Sequence, residues 1–145
     1  FLKSPAGYDS ADYSSGEIDS ATSHLLDQWV TTLPLTLSNR IVDLAAGIGI
    51  ESRHLDQKGL NVSAYDKNAK VMRNMQYPVK QQDLNNLKLE KQRYAGALIK
   101  DALIFIPENE RLSLLYKLHK ALVIYAGVLF GKADNGFLWS ICHSP

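Results

Sequence analysis

Cysteine is nearly absent. Cys142 is the only one in 145 residues, which rules out an internal disulfide framework and fits a reducing, cytoplasmic compartment. No apolar run approaches the roughly 20 residues of a membrane-spanning helix, and no signal peptide is visible. An excess of either charge is lacking too: 16 Lys and Arg stand against 15 Asp and Glu, a net charge of +1. Such a chain has no global basic field to hold a nucleic-acid backbone, so nucleic acid is not expected as a partner. There is no His-x-x-x-His pair and no cysteine cluster, so no metal is expected. There is no Gly-x-Ser-x-Gly turn of the serine hydrolases. Gly131-Lys132 is followed by Ala133 and has no upstream glycine at phosphate-loop spacing. Repeats and low-complexity segments are missing. The chain begins at Phe1 rather than Met, as a fragment or a trimmed chain would.

What is present reads as one domain. Hydrophobic residues make up 46% and charged residues 21%, ordinary values for a globular chain long enough to bury a real core. The organising stretch runs from Arg40 to Lys70. Ile41-Val42-Asp43-Leu44 is short, apolar and β-branched, as in a strand buried on both faces of a parallel sheet. Ala45-Ala46-Gly47-Ile48-Gly49 then predicts a tight turn in which glycine lets a ligand approach the backbone. A helix follows over about Ile50 to Lys58, its positive end aimed at that ligand, and Gly59 caps it in the left-handed conformation. Asn61 to Asp66 is the second strand. Asp66 ends it 17 residues beyond Gly49, where a carboxylate can accept from the two hydroxyls of a ribose. This is a nucleotide-type cofactor site.

The dinucleotide fingerprint needs a third glycine, and Ser52 stands in its place. The order Asp43-x-x-x-Gly47-x-Gly49 resembles instead the first motif of the class I S-adenosylmethionine-dependent methyltransferases. The resemblance implies that Asp43 ends the first strand, that the turn with Ala45, Gly47 and Gly49 passes under the methionine part of the cofactor and that Asp66 holds the ribose, with Lys67 also at the cofactor. Ala45 replaces a glycine common in the family, a departure expected to need only an ordinary backbone conformation there. A second acidic-apolar pair, Asp83-Leu84, implies contacts to the adenine amine and ring face.

The flanks extend the likeness. Residues 1–15 read as an irregular arm, in which Tyr8-Asp9 and Tyr13 match an opening common among the small-molecule enzymes. They could fold over the cofactor as a lid or pack at the edge of the core. Ser14-x-x-Glu17 is a capping box for a leading helix within 16–33, with Ile18, Ala21, Leu25 and Trp29 on one face and an end before Pro34. Lys67 to Gln76 predicts a helix with Ala69, Met72 and Met75 toward the sheet. Val79 to Gln82 is a third strand, and Asn85 to Arg93 a surface connection.

Tyr94 to Ile99 is the fourth strand, followed by Lys100-Asp101-Ala102-Leu103-Ile104-Phe105-Ile106-Pro107. This resembles the family's Asp-Ala-Leu-x-His-Ile-Pro segment, with Phe105 in place of the histidine and Ala95 where an aspartate is usual. Lys100 is thereby implied beside the cofactor, and Tyr13, Asp101 and Phe105 along the acceptor wall. Asp101 and His143 are weak candidates for acid–base roles. Pro107 opens a helix whose stripe is read as Leu112, Leu115, Leu118 and Leu122, with Ser113, Lys117 and Lys120 facing water. Ile124 to Gly127 stands for a turn, Val128 to Phe130 for a fifth strand, Asp134-Asn135-Gly136 for a turn and Phe137 to Cys142 for another strand.

The expectation is a three-layer αβα sandwich with a mostly parallel Rossmann-like sheet. It forms a single domain over 1–145, with the core at 40–145, cut short at its C-terminus relative to a complete family member. The resemblance implies methyl transfer from S-adenosylmethionine to a small molecule. Two alternatives stay open: a cofactor-binding regulatory module without activity, and a protein- or nucleic-acid-directed enzyme whose recognition part lies elsewhere.

Overall fold

Six strands make one sheet in the order β3-β2-β1-β4-β5-β6. They are β1 (Arg40–Leu44), β2 (Asn61–Asp66), β3 (Val79–Gln81), β4 (Tyr94–Lys100), β5 (Leu122–Gly131) and β6 (Trp139–Cys142), with helices α1 (Ser20–Thr31), α2 (Ile50–Gln57) and α3 (Glu108–Ala121). This computed structural model describes residues 16–100, 102–103, 106–131 and 139–142. The expectations for Tyr8, Asp9, Tyr13, Ser14, Asp101, Phe105, His143 and the turn at 134–136 lie outside the described residues.

The central strands β1 and β4 are buried almost without interruption, which is why their sequences show no polar alternation. They pair in parallel, as do β1 with β2, β2 with β3 and β4 with β5; β6 alone runs antiparallel, against β5. Two apolar layers result. Val42, Leu44, Ala97, Ile99 and Val128 pack under α3, while Ile41, Val62, Leu98 and Leu129 pack under Leu26 and Trp29 of α1 and Leu55 of α2. The architecture is the α/β, mostly parallel, Rossmann-like sandwich read from the sequence.

Gly96 shows how tightly α1 is seated. A Cβ there would come within 2.7 Å of the Trp29 indole, so only glycine lets the ring lie against β4. At the end of α2, the Gly59 N–H donates to the Asp56 carbonyl at 2.9 Å and the Leu60 N–H to the Leu55 carbonyl at 3.2 Å. With Gly59 at φ 86°, this is the expected left-handed cap.

Several local expectations are corrected. α1 begins later than expected and is capped by Asp19: its carboxylate accepts from the Thr22 N–H at 2.8 Å and the Thr22 hydroxyl at 2.6 Å. The buried face of α1 is Leu26 and Trp29, with Leu25 half-buried and Ala21 exposed. In place of a helix over Lys67 to Gln76 there is a short 3-10 turn, Ala69–Arg73, and Ala69 and Met75 face solvent. The Gln76 N–H is taken by the Ile48 carbonyl at 2.7 Å, which draws this segment onto the glycine loop and leaves no room for more helix.

On α3 the buried stripe is Leu114, Leu118 and Ala121, whereas Leu112 is 75% exposed. Leu118 and Leu122 of the expected stripe are buried and Leu115 is half-buried, while Leu114 takes the place expected of Leu112. Lys117 does not simply face water; its Nζ donates to the Asn85 carbonyl at 2.6 Å. Leu87, inside the expected surface connection, is buried in the core under α3. The expected turn at Ile124 to Gly127 belongs to β5. There Leu122 pairs with Tyr94 and Gly127 with Gly96, so the extra residues form a bulge and Ile124 is 45% exposed.

Candidate functional site

The loop between β1 and α2 carries three residues in the left-handed region: Ala45 at φ 62°, Gly47 at 57° and Gly49 at 86°. The expectation of an ordinary conformation at Ala45 is therefore wrong, and an L-residue sits where the alternation of the loop demands positive φ. Neighbouring bonds hold it there. The Ala46 N–H donates to the Tyr65 carbonyl at 2.9 Å, continuing the β1–β2 ladder past Leu44, and the Gly49 N–H donates back to Ala46 at 3.0 Å. Gly49 caps α2 without a side chain, leaving first-turn N–H groups without a side-chain acceptor. A Cβ at Gly49 would meet the Tyr77 Cβ at 2.7 Å. Its lack of a side chain therefore serves packing against the segment before β3, beyond the close ligand approach inferred from sequence.

Asp66, at the carboxyl end of β2, faces this loop. Its Oδ2 accepts from the Gly47 N–H at 2.9 Å and its Oδ1 from the Asn68 N–H at 2.8 Å. Lys67 is exposed, and its carbonyl accepts from Gln81 Nε2 at 3.3 Å. Further along the edge, Asp83 Oδ1 accepts from the Asn85 N–H at 2.9 Å and so caps the 3-10 turn Leu84–Asn86, with Leu84 half-buried beside it. The structure thus brings Asp43, Ala45, Gly47, Gly49, Asp66 and Lys100 to the adjoining ends of β1, β2 and β4, with Asp83 and Leu84 beyond β3.

Two site residues were not read from the sequence. Ser52 and Asp43 are both buried, and the Ser52 hydroxyl donates to Asp43 Oδ2 at 2.5 Å. Desolvation pushes the Asp43 carboxyl up to about 7, with the Ser52 bond and the charge of Lys100 acting in the opposite sense. The position that distinguishes this motif from the dinucleotide fingerprint therefore pins α2 to β1. The second is Glu51, whose Oε1 lies 2.8 Å from Lys100 Nζ. A carboxylate in the first turn of a helix beginning at a glycine loop was a visible signal for it; its lysine partner, on another strand, was not.

Polar contacts also fasten α1 and its lead-in to this region. Arg53 Nη1 donates to Gln76 Oε1 at 2.8 Å, and Nη2 to the Gly16 carbonyl. Asp27 Oδ1 lies 2.7 Å from His54 Nε2 and 3.2 Å from Lys58 Nζ. The hydrogen bond with His54 is the main cause that keeps the Asp27 carboxyl below its usual range; it outweighs desolvation, and Lys58 adds to it. Among the described residues no group of three His, Cys, Asp or Glu side chains could hold a metal ion, and no helix is long and apolar enough to cross a membrane.

The family described as "Tellurite resistance protein TehB" matches residues 12–120. No curated protein sequence is significantly similar to this chain. Among solved structures, an S-adenosylmethionine dependent methyltransferase from Mesorhizobium loti is 25% identical, with a TM-score of 0.58 over 72% of this chain and 50% of that one. A SAM dependent methyltransferase from Archaeoglobus fulgidus is 13% identical, with a TM-score of 0.66 over 75% of this chain and 50% of the other. The PH0226 protein from Pyrococcus horikoshii is 16% identical, with a TM-score of 0.67 over 86% and 62%. The chain thus spans half to under two thirds of the length of these proteins.

Proposed function

The chain belongs to the TehB family, with the fold of the class I S-adenosylmethionine-dependent methyltransferases, and on that premise we propose that it transfers a methyl group from S-adenosylmethionine to a small molecule. The observation that carries this reading is the glycine loop at Ala45, Gly47 and Gly49 facing the Asp66 carboxylate across the ends of β1 and β2. The donor set suits the cofactor. An ionised carboxylate offers about four lone-pair sites, and Asp66 uses two of them on Gly47 and Asn68, leaving acceptors for a ribose diol.

In this reading Asp66 and Lys67 hold the ribose, Asp83 and Leu84 the adenine, and Asp43, Ala45, Gly47, Gly49 and Lys100 surround the methionine end. When bound, the cofactor supplies an activated methyl group on sulfur. What remains for the chain is to place an acceptor atom in line with it, and proximity and orientation can carry much of such an acceleration. Tyr13, Asp101 and Phe105 are the proposed acceptor wall. No side chain is proposed as an indispensable base. Residues 1–145 act as one cofactor-binding domain, in a cytoplasmic setting consistent with the lone Cys142. The net charge of +1 and the likeness to small-molecule enzymes favour a small acceptor over a nucleic acid.

Calorimetric titration with S-adenosylmethionine, S-adenosylhomocysteine and a nicotinamide dinucleotide tests the cofactor. Binding of the first two alone is expected, and tight dinucleotide binding without a response to S-adenosylhomocysteine would sink the reading. Transfer of a labelled methyl group is then measured on a panel of small molecules that includes tellurite, because the family description names it. Asp101→Asn and His143→Ala are expected to keep turnover within a hundredfold. A larger loss at unchanged cofactor affinity would reveal a dedicated acid–base residue.

A further inference from the structure

α3 has apolar side chains on two faces, and the sheet covers one of them. Leu114, Leu118 and Ala121 are buried in the core beneath the helix. On the opposite side Leu112 is 75% and Tyr116 61% exposed. Apolar side chains that reach water singly, as Leu37 and Met75 do, are ordinary on a protein surface. Leu112 and Tyr116 differ, because residues four apart on a helix are neighbours and expose one continuous patch.

The charges beside this patch are sorted. Glu108, Leu112, Tyr116 and Lys120 are all exposed and follow at four-residue intervals, which makes them one ridge along the helix. The ridge reads acid, apolar, apolar, base. The helix dipole favours an acid in the first turn and a base in the last, but it gives no reason for the apolar pair between them. Lys120 Nζ lies 4.2 Å from the centre of the Tyr116 ring, so the basic end of the ridge is already held against its aromatic member.

Such a ridge is complementary to itself when reversed. Turned end for end about the level of Leu114, it sets Leu112 against Tyr116 and, in the same register, Glu108 against Lys120. A parallel alignment would set Glu108 against Glu108 and Lys120 against Lys120. We propose that the outer face of α3 is a self-association surface, on which a second copy of this chain docks antiparallel about a two-fold axis. Leu112 of each copy packs on Tyr116 of the other, and Glu108 pairs with Lys120 at both ends. Four-residue ridges interlock at a crossing angle of about 50°, and the 14 residues of α3 span only about 21 Å. The contact is therefore smaller than the roughly 800 Å² per partner of a stable dimer. Association is weak and set by concentration, and it does not depend on the cofactor reading above.

Sedimentation velocity on the full chain over a concentration series tests this. The parent is expected to associate reversibly, with a Kd between about 1 μM and 1 mM. Leu112→Ser should weaken association at least tenfold, and Tyr116→Ser serves in its place if that variant does not fold. Glu108→Lys and Lys120→Glu should each weaken it tenfold or more, since each then meets a like charge across the axis. Mixed in equal amounts, these two variants should associate within threefold of the parent, because every ridge end again faces the opposite charge. Circular dichroism checks that each variant is folded. A parent that stays monomeric up to about 1 mM overturns the proposal, whatever else occupies the face. Association that survives the serine variants places the contact elsewhere and overturns it too, as do charge variants that fail to associate when mixed.

Discussion

The Ser52 hydroxyl donates to Asp43 Oδ2 at 2.5 Å, and both side chains are buried beneath the glycine loop. A polar pin of this kind fixes the first turn of α2 to the end of β1, so the loop between them has both anchors set before any ligand arrives. The carboxylate is taken almost wholly out of water to do this, and its protonation is therefore linked to folding.

Stability should fall as pH rises from about 4 to 7. The folded carboxyl of Asp43 is raised to about 7 from 3.8, chiefly by desolvation. Its contribution is therefore fully present below pH 4 and lost as pH climbs through the folded value. The shift corresponds to roughly 3–5 kcal/mol at about 1.4 kcal/mol per unit. Asp43→Asn should flatten this part of the profile, and Ser52→Ala should move the loss to higher pH, because the Ser52 bond favours the charged form. Urea unfolding midpoints at half-unit pH steps check both; a parent curve as flat as that of Asp43→Asn contradicts the assignment.

Ala45→Gly should stabilise the protein. The left-handed conformation costs an L-residue about 1–2 kcal/mol, part of which is offset by the greater freedom of glycine in the unfolded chain. A net gain of roughly 0.5–1 kcal/mol is expected, read as a higher unfolding midpoint. A lower midpoint would show that the Ala45 methyl makes packing contacts worth more than the strain.

Three glycines should respond to alanine in a fixed order. Gly59, at φ 86° with nothing within 4 Å of a new Cβ, carries only the conformational cost, about 1 kcal/mol. Gly49 has the same φ, and its Cβ would lie 2.7 Å from that of Tyr77. Overpacking adds to the strain there, for a loss of roughly 2–4 kcal/mol. Gly96→Ala presses on the Trp29 ring and should fall between them, at about 1–3 kcal/mol. Equal losses at Gly49 and Gly59 would mean that Tyr77 simply moves aside.

Asp66→Ala should weaken cofactor binding by roughly tenfold or more, since a carboxylate accepting from two hydroxyls contributes on the order of 1.5–3 kcal/mol. It also frees the Gly47 N–H, so the loop loses a tether at the same time. Asp83→Ala should cost less, because its carboxylate is exposed and already engaged with the Asn85 N–H. Calorimetry on the folded variants decides; parent-like affinity in Asp66→Ala removes that residue from the ribose site.

The sequence by itself determined the sheet and the place of the loop. Continuous apolar runs at β1 and β4, glycines after β1 and an acidic residue ending β2 are local signals, and each maps onto an element without reference to the rest of the chain. Tertiary structure decided whatever depends on which surfaces meet. The stripe of α3 runs through Leu114 and Leu118 rather than Leu112 because the sheet, not the periodicity, selects one of two leucine-rich faces. The segment after β2 tightens into a 3-10 turn because Ile48 captures the Gln76 N–H. Ala45 adopts positive φ because the Ala46 N–H must reach Tyr65 and Gly49 must seat under Tyr77. The partners of Asp43 and Lys100, Ser52 and Glu51, lie nearby in space through a helix docking on a strand. That docking is a long-range packing event, and no local pattern of residues encodes it.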